Sequence, residues 1–201
     1  DGVDGDPRDE SGSRDGVDGD PGERIATLRE RADHVVELTH TARNITESLS
    51  IESGEQPEAT PVRVDQVLAD ELENARSSYP DASFELTTSV PAVEVSATEL
   101  LDSVFRNLFN NAVQHNDTAT PTVTVDVDVE AETVTVTVAD DGPGVPDAQK
   151  SRVFERGEKG TASSGTGLGL YLVGSLVEQY GGDIEIRDND PRGAEIGRAH
   201  V

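Results

Sequence analysis

In the stretch FRNLFNNAVQHND, Phe105 to Asp117, three asparagines and a histidine occupy what the surrounding pattern makes a buried helix. Asn107 and Asn111 are four residues apart, which stacks their carboxamides on one face, a turn apart. Asparagine is a poor choice for a helix interior, because its short amide competes for the backbone. Two of them on one face are there for something they contact, or else they are amides satisfied within the core.

Two glycine-spaced stretches follow. In DDGPGVP a carboxylate, Asp140, ends an alternating segment, and Gly142 and Gly144 make a tight turn in which backbone can approach a ligand closely. A surface turn is the plainer reading. In SSGTGLGLYLV, Gly165, Gly167 and Gly169 stand at the mouth of a helix, where bare amide N–H groups and the helix dipole suit an anion. A simple helix cap is the plainer reading there. No Gly-Lys-Ser/Thr follows, so this is not a P-loop. A polar loop rather than a strand precedes it, so it is not a dinucleotide fingerprint.

The elements that must hold these residues show in the periodicity. Leu100, Leu101, Val104, Phe105, Leu108, Phe109, Ala112 and Val113 recur at spacings of three and four, an amphipathic helix. TVTVDVDVE and TVTVTVAD alternate valine with threonine or aspartate, which predicts strands with one buried and one wet face. PVRV, FELTTS, VEV and DIEIRD read as further strands, 65–78 as a helix capped by Asp65, and about 167–180 as another helix. The expected fold class is α+β: a two-layer α/β sandwich over residues 61–201, one mixed sheet with helices on a single face. Residues 1–22 contain DGVDGDP twice, from Asp1 and from Asp15, which predicts a disordered acidic loop. It lacks the alternate-position ligands and closing glutamate of a calcium loop. Residues 23–50 carry a heptad (Ile25, Leu28, Ala32, Val35, Thr39, Ala42, Thr46, Leu49) that needs partner helices to cover its apolar side. Residues 51–60 read as a linker.

Of 201 residues 41 are acidic and 16 basic, a formal charge of −25. Phosphate backbones would be repelled, so no nucleic-acid partner is expected. The acid falls within well-patterned segments and reads as a hydrated surface suited to high salt, resembling proteins of extreme halophiles. Cysteine is absent, which excludes disulfides and thiolate zinc sites. No apolar run approaches the ~18 residues of a membrane span, and no signal peptide is visible. A soluble, cytoplasmic chain without membrane contact is expected, any anchor lying elsewhere in the parent protein.

Taken in order on one sandwich, Asn107 and Asn111, Asp140-x-Gly142-x-Gly144, Phe154, and Gly165-x-Gly167-x-Gly169 resemble the ATP-binding catalytic domain of sensor histidine kinases. That Bergerat-type fold belongs to the superfamily shared with gyrase, MutL and the Hsp90-type chaperones. The likeness covers about Pro61 to Arg187, and the heptad segment resembles the family's dimerisation helix. The resemblance implies ATP and Mg²⁺ as cofactors. It implies that Asn111 places its amide oxygen on Mg²⁺ and that Asn107 helps line the phosphate pocket. Asp140 would accept a hydrogen bond from the adenine amino group, with Gly142 and Gly144 beneath the purine. Gly165, Thr166, Gly167, Leu168 and Gly169 would meet the phosphates, and His115 would pack or hydrogen-bond at the same site. Between Phe154 and Gly165, ERGEKGTASS reads as a mobile lid. Its Arg156 and Lys159 could clamp the β/γ-phosphates, or be ordinary solvated charges. Many family members carry lysine or arginine where this chain has Gln114, so one phosphate-facing cation is missing.

Histidine kinases move the γ-phosphoryl to a histidine on the first helix of a dimeric hairpin, for relay to a response-regulator receiver domain. HTARN, from His40, superficially matches that box, but Thr41 stands for the usual acid and Ile45 for the usual proline. The linker also begins about a dozen residues later, too soon for the rest of a hairpin. Residues 23–50 are therefore expected to be the second hairpin helix, forming a homodimer with a first helix that lies upstream of Asp1 and carries the reactive histidine. No catalytic residue is assigned within the chain, which is expected to bind Mg-ATP without autophosphorylating. The closing IGRAHV lacks apolar alternation, so a last strand cut short by a foreign tail is expected. Two rivals stand beside this reading. An anti-sigma-type serine kinase shares the sandwich but usually lacks a preceding heptad helix. A non-enzymatic module would sense nucleotide or only dimerise.

Overall fold

A computed structural model describes residues 58–131, 133–155 and 168–197, with the isolated positions 39, 42 and 46. Thr39, Ala42 and Thr46 are helical and exposed; the rest of the heptad stripe and the 1–22 repeat lie outside the described residues.

From residue 58 the chain builds β1 (Thr60–Arg63), α1 (Val64–Ser78), β2 (Ser83–Leu86), β3 (Glu94–Ala97) and α2 (Leu101–Gln114). Then come β4 (Thr122–Glu130), β5 (Thr133–Asp140), the short α3 (Asp147–Lys150), α4 (Gly169–Gln179), β6 (Glu185–Asp188) and β7 (Ala194–Gly197). Five strands form one mixed sheet in the order β2-β4-β5-β7-β6, with β2 parallel to β4 and every other pair antiparallel. The α+β sandwich is thus as expected. One feature was not: β1 and β3 leave the main sheet and pair with each other as a separate antiparallel ribbon.

The valine alternation of β4 and β5 sends Val123, Val125, Val127, Val134 and Val138 into the core. There they meet Leu101, Val104, Phe105, Leu108 and Phe109 of α2 and Leu172, Val173, Leu176 and Val177 of α4. Phe109 is 1% exposed and stands edge-on to Phe84, ring centroids 5.8 Å apart. Truncating such a ring to alanine costs about 3–5 kcal/mol, so this layer decides whether α2 stays docked. The same period of two turns Asp140 toward the helices, two residues beyond Val138.

The start of α1 corrects one expectation. Helix begins at Val64 with Arg63 at the N-cap and no side-chain cap; Asp65 does not cap it. Its carboxylate instead takes the Arg63 guanidinium at two points, Nε–Oδ1 2.7 Å and Nη2–Oδ2 2.6 Å. A two-point charge-assisted pair outcompetes a single bond to a backbone amide. The helix after the second glycine stretch runs from Gly169 to Gln179, within the expected bounds. Residues 194–197 form a four-residue strand between β5 and β6, and 198–201 lie outside the described residues.

Candidate functional site

At the end of β5, two adjacent aspartates have opposite surroundings. Asp140 Oδ1 accepts hydrogen bonds from the backbone N–H of Gly142 at 2.8 Å and of Ala194 at 3.3 Å. Its Oδ2 has no hydrogen-bond partner among the described residues. Burial pushes the Asp140 carboxyl up, partly offset by those two amides. Asp141 turns away: its Oδ1 accepts from Asn116 Nδ2 at 2.7 Å and from the Thr122 N–H at 3.0 Å. Burial would push Asp141 up as well, but these hydrogen bonds outweigh it and hold the group below the usual carboxylate range. Asp141 is a staple between the strand end and the loop after α2. Asp140 keeps an acceptor to offer.

The backbone around Asp140 leaves no room for side chains. A Cβ on Gly142 would lie 2.9 Å from Asp140 Oδ1. Gly193 has φ +118°, and a Cβ there would lie 1.8 Å from the Asp140 carbonyl oxygen, an outright collision. Gly144, at φ +74°, turns against the Gly193 carbonyl. Asn189 completes the corner, its Nδ2 donating to the Asp140 carbonyl at 2.8 Å.

The asparagine face of α2 is less finished. Asn107 is 5% exposed and donates from Nδ2 to the Ser103 carbonyl one turn back, at 2.7 Å. That bond turns its Oδ1 toward the first residue of α4, where a Cβ on Gly169 would come within 2.9 Å of it. The same Cβ would be 3.8 Å from Asn111 Nδ2, so the α4 N-terminus closes on both carboxamides. Asn111 Nδ2 is buried and has no hydrogen-bond partner among the described residues. An orphaned buried amide costs about 1–3 kcal/mol, which a ligand or water at this place would recover. A half-turn of the carboxamide exchanges nitrogen for oxygen there, so the position can present either a donor or a hard acceptor.

The third asparagine, Asn110, belongs elsewhere: its Oδ1 accepts from the Tyr79 hydroxyl at 3.0 Å. Gln114 Nε2 donates to the same hydroxyl at 3.3 Å, so this side chain is spent on α1. His115 links the two halves of the site. Its N–H donates to the Asn111 carbonyl at 3.2 Å. Its ring is held below the ordinary histidine range by burial, with Asp140 acting against that shift.

Among the sequence-predicted residues, Asn107, Asn111 and Gly169 therefore meet at one end, and His115, Asp140, Gly142 and Gly144 at the other. Leu168 takes the N-cap position of α4, its carbonyl accepting from the Leu172 N–H at 2.9 Å. Phe154 packs on the same helix, 3.2 Å from where a Gly174 Cβ would stand. Arg156, Lys159, Gly165, Thr166 and Gly167 lie outside the described residues. Sequence reasoning missed Asn116, Asp141, Asn189 and Gly193. Only Gly193 carried a signal, as a glycine in the turn before a strand. Among the described residues no three His, Cys, Asp or Glu side chains gather as a metal site, and no helix is long and apolar enough to cross a membrane.

Residues 96–197 match the family model described as histidine kinase-, DNA gyrase B-, and HSP90-like ATPase. The chain is 31% identical over 170 residues to the probable sensor histidine kinase TcrY of Mycobacterium tuberculosis, covering 81% of this chain and 34% of that protein. It is 49% identical over 55 residues to the sensor histidine kinase CitA of Klebsiella pneumoniae, 27% of this chain and 10% of CitA. The solved structure of the mycobacterial sensor histidine kinase MprB superposes with a TM-score of 0.63 at 27% identity, covering 70% of this chain and 95% of that one. The chain thus spans about a third or less of the length of these curated relatives.

Proposed function

From the premise that the chain belongs to the histidine kinase-, DNA gyrase B-, and HSP90-like ATPase family, we propose that it is the ATP-binding catalytic region of a two-component sensor histidine kinase. The observation that carries this reading is the pairing of two ends across α2. Asp140 offers a free carboxylate oxygen beside a glycine turn, and Asn111 offers an unpartnered carboxamide at the mouth of α4. A purine with a donor amino group suits the first, and a triphosphate suits the second.

Asp140 would read the adenine amino group through Oδ2 while two backbone amides hold Oδ1. His115, kept neutral by burial, would close the base pocket. Asn107 would hold the α4 entrance in place, and the amides at Leu168 and Gly169 would face the phosphates. Asn111 would suit a magnesium ion, since its neutral carboxamide oxygen is a hard donor that can join phosphate oxygens and water. A magnesium ion held there would supply charge neutralisation at the phosphates. Arg156 and Lys159 are proposed as the further cations. Transfer would send the γ-phosphoryl to a histidine of a hairpin that includes residues 23–50 in a homodimer, and from there to a response-regulator receiver domain.

Equilibrium titration tests the reading: ATP should bind more tightly with Mg²⁺ than without. Incubation with labelled ATP should leave no acid-labile label on this chain, because His40 lacks the acid and proline expected of a phosphoacceptor box. Absence of ATP binding would favour a module that only dimerises. Acid-stable phosphoserine on a partner would favour the serine-kinase rival.

A further inference from the structure

We propose that Asn189 is a positioning residue for the purine-reading carboxylate, so that the 188–194 turn sets how sharply adenine is distinguished from a 6-oxopurine. The inference rests on the ATP-site reading above.

Its basis is a gap in the sheet. The β5–β7 ladder runs through Val138↔Ile196 and stops at Ala139↔Glu195, one residue short of Asp140. The Asp140 carbonyl therefore meets a side chain where a strand amide would continue the ladder: Asn189 Nδ2, at 2.8 Å. The residue that aims at the base is thus held on its main chain by a side chain 49 positions away. Its carboxylate is held by the Ala194 N–H, from the far end of the same turn.

The turn itself is anchored at three further points. Asn189 N–H donates to the Gly193 carbonyl at 3.0 Å, which closes the turn on itself. Arg192 Nη2 reaches both oxygens of Asp117, at 2.7 and 2.5 Å, tying the turn to the loop after α2. Lys150 bridges Asp188 and Asp147, each at 2.7 Å, tying it to α3. Surface ion pairs contribute little stability by themselves, so the two on this short turn fix its placement more than they stabilise the fold.

The chemistry explains what placement is for. Adenine presents a donor at C6, whereas a 6-oxopurine presents an acceptor, which an ionised carboxylate repels. The penalty is paid in full only if the carboxylate cannot swing aside. Fixing the peptide plane after Asp140 removes that escape. Asn189 touches neither base nor phosphate in this scheme and acts through Asp140 alone.

The test compares the affinities of ATP and inosine triphosphate for the full chain and for Asn189→Ala, with Asn189→Ser as a second variant if the first does not fold. The expected result is an ATP-to-ITP affinity ratio reduced by about tenfold, with Mg-tripolyphosphate binding unchanged. A folded variant with the parent ratio overturns the proposal, as does an equal loss for all three ligands, which marks a merely structural residue. Asp140→Asn is the control. If the parent chain does not prefer ATP, or Asp140→Asn leaves the ratio intact, the ATP-site reading fails and takes this inference with it.

Discussion

The two ends of the site differ in how much of their hydrogen bonding is already made. Around Asp140, one carboxylate oxygen has two amide donors, the carbonyl has Asn189, and Asp141 staples the neighbouring loop. One turn along α2, the Asn111 amide is buried without a partner among the described residues. A finished corner recognises a rigid group at little reorganisation cost, which suits a planar base. An unfinished face stores a penalty that an incoming ligand relieves, which suits a flexible, hydrated triphosphate and its cation. In the proposed ATP site, base specificity would sit where the fold is complete, and dependence on metal where it is not.

Substitutions that break the finished corner have the largest expected effects. Gly193→Ala forces a Cβ into the Asp140 carbonyl at an unfavourable φ. It should lower stability by at least about 3 kcal/mol in denaturant unfolding. A loss under about 1 kcal/mol would mean that the turn yields easily and that the corner is not rigid.

Asp140→Asn separates recognition from stability. It should weaken ATP binding on the order of 100-fold, since a carboxamide oriented by the same amides turns a donor toward the adenine amino group. Burial raises the folded-state pKa of Asp140, so this group's contribution falls as pH rises from the unfolded value of 3.8 through the folded one. At neutral pH the ionised side chain is therefore a cost to the fold. The variant should melt no lower than the parent at pH 7, and a lower melting temperature would show that the carboxylate serves the fold first.

Asn111→Leu sharpens the contrast from the other side. Removing an orphaned amide should leave stability unchanged or raise it by up to about 1 kcal/mol, while cutting Mg-ATP affinity about tenfold. Metal-independent adenosine binding should be untouched. Retained magnesium dependence in the calorimeter would remove Asn111 from the cation site.

The smallest effect concerns His115. Its folded pKa lies below the unfolded value of 6.5, so its contribution is fully present above 6.5 and is lost as pH falls through the folded value. His115→Phe should flatten the stability profile on the acid side of neutrality, read as melting temperature against pH. An unchanged slope would place the acid sensitivity elsewhere.

The long periodic elements could be read in advance because burial enforces a period over many residues. Strands β4 and β5 show their two faces through nine and eight residues, and α2 shows its stripe through fourteen. The β1–β3 ribbon could not, since four residues carry too little pattern to choose between partners. Asp65 was misread because its neighbour Arg63 offers a stronger bond than the helix start does. At the site, Asn107, Asn111 and Asp140 stood out because polar groups interrupt otherwise apolar patterns. Asn116 and Asn189 did not, because they sit in polar loops and act on partners 25 and 49 residues away.

One calorimetric comparison bears most directly on the claim that the base end is preformed and the phosphate end is not. Adenosine and ATP would each be titrated into the parent chain with and without magnesium. Adenosine should bind equally in both conditions, whereas ATP should gain about tenfold or more from the metal. Magnesium-dependent adenosine binding, or ATP binding indifferent to the metal, would contradict that division.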